Sequence, residues 1–512
     1  MIGSTARRSC LLLGFAAVAS CAWWLSAAAQ PEPPALAAPK VDETKAGKRL
    51  FFPSVECVVC HSKGMEGGVR EDSTSDLTEG KVWQQDDKHR LAYLALQGPR
   101  AQEMGKRLGI DVTKERSCLA CHGVWFDDAE VKDRSLNAKF KLEEGVSCAV
   151  CHGPYARWAD QHHGLQNRAE WQKKTRDEKQ TEAGMTDLWD PVRRTKVCAS
   201  CHIGNTAEGK VVTHDMYVAG HPPLPGFEIA SFCRQMPMHW KLMRDKSPAV
   251  QKLLGYKAGE LEETRLVIEG GVASFREAMN LYATQAEHCA AQADKSNRLL
   301  DMANFDCYSC HHELRYPAWR MTRNNLGLAG RPPLRPWPTA LLALAIRQAA
   351  PQDANRRQEL WRSLQAKLQK LALAATEEPF GDAPSVAKAA KDLVQWSDDL
   401  LREIGRTQYD RAAALQALRE LAAVKEVVDF DSARQIAWAF ETIYAELPEK
   451  PAAAARIESV LKELRDSLQL ALPAGQKTEL LKELDRTLRQ ASQYSPTRFQ
   501  ASLKQLDALL AE

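Results

Sequence analysis

Cys57-Val58-Val59-Cys60-His61 is one of five copies of a single pentapeptide pattern in this chain. The others are Cys118-Leu-Ala-Cys121-His122, Cys148-Ala-Val-Cys151-His152, Cys198-Ala-Ser-Cys201-His202 and Cys307-Tyr-Ser-Cys310-His311. The chain's composition would produce roughly 0.01 such pentapeptides by chance. Two thiols one short turn apart can add to the two vinyl groups of one porphyrin, and the adjacent imidazole then reaches the iron from one face. The pattern therefore implies five covalently attached c-type haems, with His61, His122, His152, His202 and His311 as proximal iron ligands. Zinc would call for paired Cys-x-x-Cys units or spaced histidines, and it gives no reason for His to follow every second Cys. Redox-active Cys-x-x-Cys pairs sit singly in a βαβ setting, which is not found here.

The amino terminus agrees with attachment outside the cytoplasm. Arg7 and Arg8 precede an apolar run from Cys10 to Ala29, which ends in the small residues Ser26-Ala27-Ala28-Ala29. This is the layout of an export signal over 1–29. The run is also about 20 residues long, enough to serve as an uncleaved membrane anchor. Val18-Ala19-Ser20-Cys21 is a weaker lipidation candidate. With 69 basic and 66 acidic residues, the chain carries no basic footprint for nucleic acid.

Residues 30–45 are rich in Pro and Ala and read as a tether. A haem region follows over 46–325, and a Gly/Pro-rich linker over 326–338 cannot continue a helix. Residues 339–512 then contain no His, Cys or Met. They show helical periodicity instead, as in Ile457, Leu461, Leu464 and Leu468, or Leu480, Leu481, Leu484 and Leu488. Pro448, Pro451, Pro473 and Gly475 mark junctions, and Ser495-Pro496 marks a helix start. Six to eight helices packed as a bundle are expected. The fold class is mainly α: a multihaem cytochrome c domain with little regular sheet, followed by an α-helical bundle.

Thirteen histidines less the five proximal ones leave His89, His162, His163, His214, His221, His239, His288 and His312 for the far faces of the irons. Eight imidazoles for five irons favour bis-His ligation, with low potentials; Met is the competing ligand and would raise them.

The stretch Glu144-Gly-Val-Ser-Cys148-Ala-Val-Cys151-His152-Gly-Pro154, followed by Trp158 and His162-His163, resembles the multihaem cytochrome c-554/c-prime family. So do His214-Asp-Met-Tyr-Val-Ala-Gly-His221-Pro-Pro223 and Pro237-Met-His239-Trp240, and the resemblance covers roughly residues 50–320. It implies a mostly helical periplasmic protein that holds closely packed haems and passes electrons between redox partners. Some relatives serve hydroxylamine oxidation. Residue by residue, it implies distal roles for His89, for one of His162 and His163 with His163 preferred, and for His214 and His221. His239, His288 and His312 remain further candidates. The chain departs from four-haem members by its fifth motif and its helical appendage.

The leading functional reading is an electron-transfer cytochrome rather than a catalyst. The alternatives are an oxidoreductase acting on a small nitrogen or sulfur compound at one open iron, and a wiring and docking subunit of a respiratory complex. The expected partner is a redox protein or a membrane quinol-linked cytochrome complex. Cys233 and Cys289 lie outside the motifs, and in an oxidising compartment a disulfide between them is expected.

Overall fold

The stretch from Leu266 to Ala283 carries apolar or small side chains on every face, and a helix of that kind must be buried all round. In the computed structural model it forms the middle of a 29-residue helix, Glu262–Ala290. Val267, Val272 and Phe275 within it have no exposed surface. Five other helices pack against it: Pro191–His202, Ile229–Gln235, Leu342–Ala349, Ala383–Ile404 and Phe430–Glu446. Two adjacent glycines make the closest approaches possible. A methyl group on Gly270 would stand 2.3 Å from Ile229 Cγ2, and one on Gly271 would stand 3.0 Å from Leu341 Cβ.

The first backbone N–H groups of this helix have no side-chain cap from Leu261, yet burial obliges them to find acceptors. A remote carboxylate supplies them. Glu446, whose side chain is fully buried, accepts from the Glu263 and Thr264 N–H groups at 2.9 and 2.6 Å and from the Thr264 hydroxyl at 2.8 Å. Arg244 donates to it at 3.3 Å. Charge-assisted bonds of this kind contribute about 1.5–3 kcal/mol each, so the last turn of Phe430–Glu446 fastens the start of the central helix.

The structure describes residues 53–62, 74–127, 129–137, 139–153, 155, 158–163, 168–292, 299–312, 316, 326–425, 427, 429–469 and 494–512. All belong to one compact unit, Glu43–Glu512. The expected signal 1–29, tether 30–45, helical face Leu480–Leu488 and junction at Pro473 lie outside the described residues. Among those described there is no β-strand, only the isolated bridges Asn205↔Lys210 and Phe305↔Leu334. The mainly α class is therefore observed. No described helix is long and apolar enough to cross a membrane.

Beyond residue 338 the described residues form seven helices: Leu342–Ala349, Ala354–Thr376, Ala383–Ile404, Arg411–Ala422, Phe430–Glu446, Ala454–Ser467 and Pro496–Leu510. Asp353, Asp382, Asp410 and Asp429 each accept a hydrogen bond from the backbone N–H three residues on, the N-cap arrangement that starts a helix cleanly. Ser495 does the same ahead of Pro496. Ile457, Leu461, Leu464 and Leu468 are all buried, as their spacing predicts. One hydrophobic core runs from Ala199 and Phe227 through the central helix to Leu510, so the compositional break at 326–338 is not a break in packing.

The expected Cys233–Cys289 bridge is not formed, and both thiols are free. Cys233 is buried in the charge environment of Arg194 and Glu263, near the start of the central helix. Cys289 lies at its other end and donates to the Leu299 carbonyl at 3.3 Å. Twenty-six residues of helix separate those ends by about 39 Å, against the roughly 6 Å between Cα atoms that a disulfide requires.

Substituting Gly270→Ala drives a methyl into Ile229 and is expected to cost about 1–3 kcal/mol, overriding the helix-propensity gain. Gly271→Ala should cost less. Urea unfolding of the holoprotein variants checks the order, and equal stability of G270A and wild type would contradict the packing described.

Candidate haem sites

Four of the five motifs are helical and end at their histidine: Val55–His61, Arg116–His122, Cys148–His152 and Pro191–His202. Helical spacing places residues i, i+3 and i+4 on one face, so both cysteines and the histidine of each motif point the same way. Glycine stops two of these helices directly after the ligand. Gly153, at φ 86°, also lets the chain pass so close to Gly184 that a Cβ would stand 2.7 Å from its carbonyl. The fifth motif differs: Cys307–Ser309 is a single 3-10 turn, closed by the His311 N–H donating to the Cys307 carbonyl at 2.8 Å.

The first four motifs converge. The Cys57 and Cys148 thiols lie close to one another, as do those of Cys121 and Cys201. Glu144, just ahead of the third motif, accepts from the Ser54 N–H at the start of the first motif helix at 2.7 Å.

Three histidine pairs form across these motifs. The rings of His61 and His162 have centroids 6.1 Å apart and planes 21° from parallel. His202 faces His89 at 6.3 Å and 88°, and His122 faces His221 at 6.4 Å and 83°. An iron bound to two opposed imidazoles at about 2 Å each holds their ring centres about 6.4 Å apart. The three spacings match that span, so the residues present fit the haem irons that the motifs imply.

Each pairing depends on what the other ring nitrogen does. His122 Nδ1 lies 2.9 Å from the Ala92 carbonyl and His221 Nδ1 lies 2.7 Å from that of Pro222. A carbonyl only accepts, so Nδ1 carries the proton and the Nε2 lone pair is left for the metal. Carboxylates play this part elsewhere: Glu79 meets His61 Nδ1 at 2.9 Å and Asp87 meets His89 Nδ1 at 2.9 Å. Glu79 is itself fixed by the Ser75 hydroxyl at 2.8 Å and the Asp76 N–H at 2.9 Å. Burial pushes its carboxyl up, but these hydrogen bonds outweigh burial and hold it at about 2. Asp87 is likewise held low against burial by the side chain and backbone of His89.

Burial pulls His152, His202 and His221 down to about 4 and lowers His122 as well, which keeps these imidazoles neutral, as ligands must be. His89 is pushed up by its hydrogen bond to Asp87. Its backbone is clamped by the residues before the third motif. The Val146 N–H donates to the His89 carbonyl at 3.0 Å, and Gly145, at φ 61°, passes where a Cβ would stand 2.7 Å from that oxygen.

The remaining predicted residues sit as follows. His239 lies in the charge environment of His152 and of Asp87; its Nδ1 is 3.3 Å from the Pro237 carbonyl and its ring packs against Trp240. His214 opens the helix His214–Ala219, and its N–H donates to Asp301, six residues before Cys307, at 2.9 Å. His288 is exposed beside Gln292. His311 is exposed and His312 is partly buried. The side chain of His163 lies outside those described; it is His162 that faces His61. Sequence reading missed Glu79 and Asp87, although Asp87-Lys-His89 carried a local signal. Phe227, stacked on His202 at 5.5 Å, carried none.

Residues 56–153 match the family model of cytochrome c554 and c-prime. The matched segment holds the first three motifs and His89. No curated protein and no solved structure matched the chain. The match assigns to this segment a covalently bound c-type haem and an electron-transfer role, in a family of exported proteins.

Glu79→Gln removes the charge that His61 Nδ1–H and the Asp76 N–H share. It is expected to cost about 1–3 kcal/mol and to raise the potential of one haem, because the ligand becomes less basic. A redox titration with all steps unchanged would contradict this role.

Proposed function

We propose that this chain, which over residues 56–153 is a cytochrome of the c554 and c-prime family, works as a periplasmic electron carrier with five covalently bound haems. The observation that carries the reading is the set of three imidazole pairs. His61/His162, His202/His89 and His122/His221 each join a motif histidine to one from a remote segment, at the span of a doubly ligated iron. Where both axial positions are filled by protein, no position is left for a substrate. Haem supplies one-electron redox chemistry when bound.

The chain's own residues do the rest. Cys57, Cys60, Cys118, Cys121, Cys148, Cys151, Cys198, Cys201, Cys307 and Cys310 are the attachment thiols. Glu79, Asp87 and the carbonyls of Ala92 and Pro222 keep protons on Nδ1 and so aim Nε2 at the metal. Phe227 and Phe232 pack on His202. For the third motif we assign His239 opposite His152, whose charge environment it shares, and for the fifth His214, whose N–H donates to Asp301 just ahead of that motif. The physiological partner is a redox protein or a membrane quinol-linked cytochrome complex. A second reading, an oxidoreductase acting on a small nitrogen or sulfur compound at one open iron, is favoured at the fifth motif alone, where Cys310 and His311 are exposed.

Haem content measured per chain as the pyridine haemochromogen should be five. His162→Ala should convert one haem from low to high spin, and that haem alone should then bind nitrite or hydroxylamine. A wild-type protein with fewer haems, or one whose spectrum nitrite already perturbs, would overturn the carrier reading.

A further inference from the structure

An arginine is charged at any accessible pH, and a buried guanidinium without an anion is strongly unfavourable. Arg335 is partly buried, with its guanidinium turned into a cleft. Its Nε is buried with no hydrogen-bond partner, and among the described residues no carboxylate lies within ion-pair distance of it. It lies over the Tyr217 ring at 6.0 Å, and Tyr282 and the Cys307 thiol are close by. The side chain has not strayed there, because its backbone is pinned. The Arg335 N–H donates to the Asn304 carbonyl at 3.3 Å, the Asp306 N–H donates to the Pro333 carbonyl at 2.9 Å, and Phe305 bridges to Leu334 between them.

Arg335 lines a small cleft together with His202, Tyr217, Tyr282, Asn304 and Trp337. A cation held rigidly in such a cleft points to an anion that the bare chain lacks. On the reading proposed above, the carboxylates brought by the bound cofactors are the haem propionates. These lie on the porphyrin edge opposite the thioether bonds. A haem attached through Cys307 would present its thioether edge to Arg335 and keep its propionates away, whereas the cleft that Arg335 lines also borders His202.

We propose that Arg335 is the counter-ion of a propionate on the haem held by Cys198, Cys201 and His202, and that it sets that haem's potential from beside the fifth attachment site. A neighbouring cation favours the reduced state, so its loss should make the haem harder to reduce.

The test is a spectroelectrochemical titration of holoprotein carrying Arg335→Gln or Arg335→Lys. In R335Q one step of five should move to more negative potential, and R335K should restore most of it. The step that moves should be the one that His89→Met raises by changing that haem's axial ligation. The propionate bending mode of that haem in the resonance Raman spectrum should change in R335Q as well. Five unmoved steps, a shift spread over all steps, or a shift in a step that H89M leaves alone would overturn the proposal. A haem count below five in wild type would instead count against the multihaem reading on which it rests.

Discussion

Three of the proposed iron sites depend on two imidazoles meeting with their ring centres about 6.4 Å apart, and only tertiary structure can arrange that. The attachment pentapeptide delivers one ring of each pair by local geometry, since helical spacing puts its histidine on the face of its cysteines. The other ring comes from far along the chain: His89 to His202 and His122 to His221 are separated by about a hundred residues or more.

The central helix Glu262–Ala290 gives this convergence a rigid support. One side receives the fourth motif's helix through the space left at Gly270, where Thr195 and Ile229 come close, and Leu341 approaches at Gly271. Its amino end is capped by Glu446, nearly two hundred residues later. On its other sides it packs against helices of the carboxy-terminal region, and Arg276 pairs with Asp398 at 2.6 Å. The histidine-free helices thus contribute to the haem region by completing its core. In this arrangement the appendage buttresses the cofactor sites, whatever else it binds.

Much of this was legible in the sequence because its signals are local. The pentapeptides, the apolar spacing of Ile457 to Leu468 and the Ser495-Pro496 start each depend on a few neighbouring residues; the spaced leucines are buried and Ser495 caps its helix as read. What was not legible depends on distance. No local feature distinguishes His162 from His163, and the choice of acceptor for each Nδ1 is made by whichever carbonyl or carboxylate the fold brings close. The disulfide expected between Cys233 and Cys289 failed for the same reason, because compartment chemistry says that a bridge is allowed while a straight helix holds the two thiols apart. Glu446 as a cap for Glu263 and Thr264 was invisible, since a buried glutamate looks like any other until its partners are placed.

The ring planes permit the most direct check on the central claim. Nearly parallel axial imidazoles split the iron d-orbitals and yield a rhombic low-spin ferric signal, whereas nearly perpendicular ones leave the orbitals close in energy and yield a highly anisotropic one. Low-temperature electron paramagnetic resonance of the oxidised holoprotein, integrated against a haem count, should therefore contain one rhombic low-spin haem from His61/His162. It should also contain two highly anisotropic low-spin haems from His202/His89 and His122/His221. A spectrum dominated by high-spin iron, or one lacking the highly anisotropic component, would contradict the account.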